Sequence, residues 1–285
     1  MGGAGQASGI SESPRIGLFR VAGAFFMRDL REDLSYRGAF ILGLGASVVS
    51  LATLHFFSRF IDAGRVSGLS AYGGGYLPFA LFGMVLLSLQ HTAASAYPRQ
   101  IRAAQLAGTL EATLATPTPS WMVLLCSPVY RFFRALLAAF FQCFLAWALF
   151  GVSFAGANVL ALVVAIPLSL VAFSSLGFFA ATTTMILRRS DPIGLFVGGL
   201  STLAGGVVYP RAVLPSWLHF LGQLLPITHA LELLRRAAFG SASLGDLTSP
   251  LLGLGLFAGI LAPLGLFTFA WAVRRARRDG SLGHY

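Results

Sequence analysis

Apolar residues run along this chain in long blocks, separated by short polar segments rich in arginine, glycine and proline. About 20 consecutive apolar residues cross a bilayer as a helix, and six blocks approach or exceed that length. They cover residues 38–57, 76–97, 135–154, 159–187, 193–209 and 251–273. The segment WMVLLCSPVYRFFR ahead of the third block continues its helix toward the headgroups. Pro167 and Pro263 interrupt the fourth and sixth, breaks that lipid tolerates where neighbouring helices satisfy the freed carbonyl.

Ahead of the first block the period changes. Ser13 as N-cap and Pro14 at the first helical position can open a helix. On it Phe19, Ala22, Phe26, Leu30 and Leu34 recur every three or four residues. Arg20, Arg28, Asp29, Arg31 and Asp33 occupy much of the remainder, which suits a helix lying in the membrane surface. A soluble amphipathic helix packed on another element is the alternative. The first dozen residues lack the basic and apolar regions of a cleaved signal peptide and read as a cytosolic leader. The expected organisation is a leader and interfacial helix over residues 1–37, then an all-α, six-span membrane domain over 38–285.

One apolar stretch does not make a seventh crossing: YPRAVLPSWLHFLGQLLPITHALELLRR. Pro210, Pro215 and Pro226 divide it into runs of about a dozen residues or fewer, too short to span at 1.5 Å per residue. It reads as two short helices dipping back into the outer leaflet, where irregular backbone needs protein or a water-filled cavity around it. Glu232 lies at helical ion-pair spacing from Arg235 or Arg236.

Between the second and third blocks stands a polar island, GTLEATLATPTPSW. Thr109 can cap a helix, and Glu111 in its first turn favours the positive end of the helix dipole. Leu110 and Leu114 share a face, and Pro117 ends the helix after about two turns. The product is a stubby helix with a small apolar edge and one charge. It fits a groove on a soluble partner; it also reads as a solvated connector.

Composition confirms the class: 56% of the 285 residues are hydrophobic and 11% charged, too apolar for a soluble domain of this length. All 20 basic residues are arginine. A P-loop needs a lysine on the β- and γ-phosphates, so the chain is expected to hold no Walker A site and no cofactor of its own. Cys126 and Cys143 stand in apolar surroundings without metal-ligand spacing and read as packing residues. With the N-terminus cytosolic, fifteen arginines fall on inner segments and five on outer ones, the positive-inside bias. Both termini are then inside, and six crossings fit.

The island resembles the cytosolic loop of type-2 ABC-transporter permeases, whose usual form is Gly-Thr-Leu-Glu, an apolar pair and Thr-Pro. The stretch GGVVYPRAVLPSWLHFLGQLLPITHALELLRRAAFG is similar to that family's segment after span five. Pro210, Pro215, Trp217, Pro226, Thr228, Glu232, Arg235 and Gly240 match it, while His229 stands where a tyrosine is common. Arg131 takes roughly the place of a basic residue early in helix three.

The resemblance implies two permease subunits, identical or different, working with two separate ATPase subunits that bind ATP and Mg. It implies a coupling helix seated on the ATPase through Gly108, Thr109, Leu110, Glu111, Leu114 and Pro117. Arg28 and Arg31 would lie on the bordering surface helix. It implies an outer gate built from Pro210, Pro215, Trp217, Pro226, Glu232 and Arg235, and a path between subunits lined by helices two and five. On those helices Phe82, Leu86, Gln90, Leu195, Gly199, Thr202 and Val207 are the candidates. Helix packing is the competing role for each, and for Gly198, Gly199, Gly205 and Gly206 the preferred one.

Other classes fit less well. An intramembrane enzyme needs clustered His, Asp, Glu or Ser at one depth, and the acids here lie mostly at the membrane edges. A secondary transporter needs midplane ionisable groups and inverted repeats, and His91 alone is too little. The 25 phenylalanines allow an aromatic glycan channel, although lipid contact or packing accounts for most. A hydrophobic or amphipathic cargo (a drug-like compound, a lipid or a lipid-linked glycan) moved outward across a bacterial cytoplasmic membrane is the expectation.

Overall fold

The computed structural model describes residues 17–35, 37–61, 75–109, 119–187, 192–239, 245 and 247–278, and among these all regular structure is helical. In chain order the helices are α1 (Leu18–Ser35), α2 (Arg37–Ser58), α3 (Tyr76–Leu106), α4 (Ser120–Cys126), α5 (Val129–Phe150) and α6 (Val159–Leu187). They continue with α7 (Pro192–Ala204), a 3₁₀ turn (Arg211–Val213), α8 (Ser216–Gln223) and α9 (Pro226–Phe239). The chain closes on α10 (Thr248–Leu256), a π-helical turn (Phe257–Leu261) and α11 (Ala262–Arg278).

Among the described residues, five helical stretches are long and apolar enough to cross a membrane: Ile41–Ser58, Tyr76–Leu106, Trp121–Phe150, Val159–Leu187 and Thr248–Ala276. This is a multi-pass membrane protein. The fifth block expected from sequence, 193–209, is a shorter helix. α7 holds 13 residues, about 20 Å at 1.5 Å per residue. Its continuation over Gly205–Tyr209 is bent backbone, because Gly205-Gly206 has little helix propensity. Val207 is therefore not on a helix.

Other boundaries moved for local reasons. The third block begins earlier, as α5, and WMVLLCSPVYRFFR is two helices because Ser127-Pro128 separates α4 from α5. Gly151, in the left-handed region at φ 67°, closes α5. In the last span Pro263 cannot bond back to the carbonyl of Gly259, and the π turn just before it absorbs the mismatch. Pro167 stays inside a continuous α6.

α6 is apolar on every side, as a central helix must be. It packs on α3, α9 and α11, with Ala93, Ala94 and Ala96 of α3 and Ala180 and Ala181 of α6 buried. α3 is the ruler of the molecule: its 31 residues span about 46 Å. It packs on α9, which in turn contacts α8, while α1 packs on α4 and α5.

The Ala107 end of α3 is closed by a Schellman motif. Thr109 N–H donates to the carbonyl of Ala104 and Gly108 N–H to that of Gln105. Gly108 sits at φ 64°, a left-handed position that glycine takes at little cost. The island's next residues, 110–118, which include Leu110, Glu111, Leu114 and Pro117, lie outside the described residues. So do Ser13, Pro14 and Gly240.

On α1, Ala22, Phe26 and Leu30 are partly covered, while Phe19 is 91% and Leu34 59% exposed. Asp29 is the buried residue of the helix.

Candidate functional site

Three groups of polar side chains stand inside this apolar scaffold. The first is at the Tyr76 end, around Arg235 on α9. Arg235 is 4% exposed. Its Nη1 donates to the carbonyl of Gly206 at 2.8 Å, and Nη2 to those of Phe79 at 2.8 Å and Val207 at 3.1 Å. Nε adds a bond to the Phe79 carbonyl at 3.2 Å, and the guanidinium lies 3.6 Å from the centroid of the Phe79 ring. A buried charge is costly unless hydrogen-bonded on every side; here carbonyls at the start of α3 and just after α7 supply the partners.

Close approach makes the clasp possible. A Cβ added at Gly83 would lie 2.0 Å from the Val207 oxygen and 3.1 Å from Arg235 Nη2. Only glycine leaves room there.

Glu232 resolves the ion pair that sequence left open. Arg236 Nη2 reaches Glu232 Oε1 at 2.6 Å, and Arg211 Nη1 stands 3.9 Å from Oε2. Arg235 takes no part in that pair and turns to the carbonyls. Pro210 and Pro215 frame the 3₁₀ turn, with Val213 N–H on the Pro210 carbonyl and Leu218 N–H on that of Pro215. Pro226 is buried at the head of α9, and Thr228 Oγ1 donates to the Gly222 carbonyl at 2.6 Å. Trp217 is exposed.

The second group lines the face between α3 and α7. Gln90 Nε2 donates to Ser201 Oγ at 2.9 Å, both buried, while Gln90 Oε1 has no partner. A cavity of about 390 Å³ opens beside them, with Ser88, His91 and Thr202 on its wall. Ser88, His91 and Thr202 are exposed. A second cavity of about 280 Å³ continues past His91 to Arg99 and Arg102, with Leu195 on its wall and the buried, unpartnered Thr184 hydroxyl beside it.

The sequence-derived path residues divide between two places. Gln90 and Thr202 meet in the first cavity, and Leu195 borders the second. Phe82 and Leu86 line a different cavity, on the side of α3 turned away from His91, where Phe82 meets Phe154 and Phe239. Val207 is fully buried under Arg235. Gly205 packs against Ile227, whereas a Cβ added at Gly198 or Gly199 would meet nothing within 4 Å among the described residues, so no close helix contact is made there among them.

The third group is at the Ala107 end, under α1. Asp33 accepts from Tyr130 Oη at 2.8 Å and from Arg134 Nη1 at 2.7 Å. Arg131 Nη1 donates to the Ala96 carbonyl at 3.1 Å, and Arg28 pairs with Asp29 at 2.7 Å. A cavity of about 650 Å³ collects these groups with Glu32 and Thr109. Arg31 is exposed. Sequence reading passed over Asp33, Tyr130 and Arg134. The signal was present: Tyr130, Arg131 and Arg134 cluster in the first two turns of a helix whose later residues are apolar but for Gln142.

Comparison with curated proteins gives no match. The model of the ABC-2 type transporter family matches residues 25–239, three quarters of the sequence and every group just described. The chain belongs to the ABC-2 type transporter family and is a membrane permease of an ABC transporter.

Proposed function

We propose that this permease is the transmembrane half of an ATP-driven exporter, moving a hydrophobic or amphipathic compound outward between two permease subunits. The observation that carries the reading is the α3–α7 face. There Ser88, His91 and Thr202 are exposed beside the unpartnered Gln90 Oε1, and the second cavity adds two further polar neighbours, Arg99 and Arg102, beyond His91. Polar groups on membrane helices belong against protein or water rather than lipid. A second permease subunit across this face would enclose them and leave a path. Gly198 and Gly199, open on the same helix, suit close approach of that subunit.

Six crossings follow in this reading. α7 with the residues after it makes the sixth, placing both termini and the Ala107 end in the cytosol of a bacterium, where the arginines concentrate. Separate ATPase subunits bind ATP and Mg and hold the segment around Leu110, Glu111 and Leu114, flanked by Arg28 and Arg31 of α1. Their closure moves that segment as a lever and shifts the pair between inward- and outward-open states, a rigid-body transition. ATP need favour one state by only about 5 kcal/mol for a near-complete switch. α8, α9 and the 3₁₀ turn close the outer end.

The test is purification followed by reconstitution. Gly199→Cys in two copies is expected to cross-link, and ATP hydrolysis to appear only when an ATPase subunit joins the permease. Uptake of a fluorescent lipophilic cation into inverted vesicles reads transport. Cargo movement by the permease alone would sink the reading.

A further inference from the structure

On the face of α3 opposite Met84 and His91, a second kind of cavity of about 290 Å³ lies inside a single subunit, walled by α3, α5, α6 and α9. Phe82 and Leu86 line it from α3, Phe173 from α6, and Leu234 and Ala238 from α9. The hydroxyl of Ser169, the one hydroxyl on its wall, donates to the Ala165 carbonyl of its own helix at 2.7 Å. Nothing in the lining asks for a polar partner, so water has no reason to enter. Left empty, the walls would forgo dispersion contacts on one side.

The surroundings name the occupant. α5 and α6 both belong to membrane-crossing stretches. At the mouth Phe140 of α5 is 70% exposed, and Val163 and Val171 of α6 point outward nearby, at 61% and 48%. Hydrocarbon is therefore the medium at the opening. An aliphatic chain reaches the cavity from the bilayer without crossing water and matches a lining that offers only apolar contact.

We propose that an acyl chain of a bilayer lipid inserts between α5 and α6 and occupies this cavity. The seated chain bears on Leu234 and Ala238, the flank of α9 adjoining Arg235, and so props the clasp at the Tyr76 end. This site is separate from the path between subunits, and its existence does not depend on the direction or nature of transport.

The test places the full chain in nanodiscs containing phosphatidylglycerol with a diazirine midway along one acyl chain. After irradiation, peptides are mapped by mass spectrometry. Adducts are expected on Leu86, Phe173 and Leu234, which are exposed by 2%, 0% and 4% and lie out of reach of lipid that merely surrounds the protein. Ala139→Trp, filling the cavity from α5, should abolish those adducts and leave the ones on Val163 and Val171 in place. Leu170→Trp fills the same space from α6 and serves if the first variant fails to fold. Adducts confined to exposed positions, or inner adducts that persist in both folded variants, would overturn the proposal. So would labelling of the inner positions by a headgroup-free aliphatic diazirine but not by the lipid.

Discussion

Arg235 and Val207 are joined across 28 residues of chain by a 3.1 Å hydrogen bond from guanidinium to carbonyl, and that carbonyl fills the notch left by Gly83. Three segments distant in sequence thus converge on one backbone oxygen: the start of α3, the chain after α7 and the middle of α9. Each depends on the other two for its place.

Arg235→Lys is accordingly not a conservative change. A lysine ammonium has no planar fork to span the carbonyls of Phe79, Gly206 and Val207. Both Arg235→Lys and Arg235→Gln should destabilise the protein by about 3–5 kcal/mol, the scale for breaking a buried ionic network. Gly83→Ala should fall in the same direction by about 1–3 kcal/mol through overpacking. Thermal unfolding in detergent checks all three, and wild-type melting of Arg235→Lys would contradict the clasp.

Gln90 and Ser201 offer a cleaner measurement, because each is one half of a single buried bond between α3 and α7. Interhelical hydrogen bonds in membranes are worth about 0.6 kcal/mol, at most about 1.7. A double-mutant cycle over Gln90→Leu and Ser201→Ala should return a coupling in that range. A coupling of zero would mean the two helices are held by packing alone.

Docking of α1 can be read from a cysteine. Cys126 is buried, with its thiol 3.8 Å from the Leu18 carbonyl, so it labels with maleimide only when α1 lifts. Asp33→Asn weakens the pair with Arg134 and the bond from Tyr130 together and should raise the labelling rate of Cys126. Tyr130→Phe, which spares the ion pair, should raise it less. Equal rates in wild type and Asp33→Asn would show that the apolar contacts of α1 suffice.

The sequence made the long spans legible because lipid enforces length and apolarity together: the fourth block, 159–187, coincides with α6 to the residue. It also exposed the breaks at Pro210, Pro215 and Pro226, since proline acts locally. The shortness of α7 was hidden by residues that are apolar yet poor helix formers, Gly205 to Tyr209. What could not be read were relations between distant segments. Arg235 and Arg236 are equivalent neighbours by spacing from Glu232, and only packing sends one to the carboxylate and the other to three carbonyls. Periodicity grouped Phe19 and Leu34 with Ala22, Phe26 and Leu30, but it did not say that Asp33 on the polar side meets Tyr130 and Arg134 of α5. Phe82 and Leu86 stand two turns and one turn before Gln90 on one stripe of α3, and a sequence does not say that the cavity beside Gln90 and the one beside Phe82 and Leu86 are separate.

The last prediction separates the lever from its hinge. Gly108 holds φ 64° where α3 ends, and a non-glycine residue in that region costs about 1–2 kcal/mol. Asparagine tolerates the position better than alanine, so Gly108→Asn should keep α3 capped while Gly108→Ala frays it. Beyond the hinge, Glu111 is the one carboxylate of the island. In the exporter reading it contacts the ATPase, and Glu111→Arg reverses its charge at a position outside the sequence of α3 and of every spanning helix. The expected result for Glu111→Arg is normal membrane insertion and melting, with ATP hydrolysis in the assembly no longer stimulated by cargo. Gly108→Ala should lower melting and stimulation together, and Gly108→Asn neither. Full cargo-stimulated hydrolysis in Glu111→Arg would remove the island from the coupling path, whatever the fate of the glycine variants.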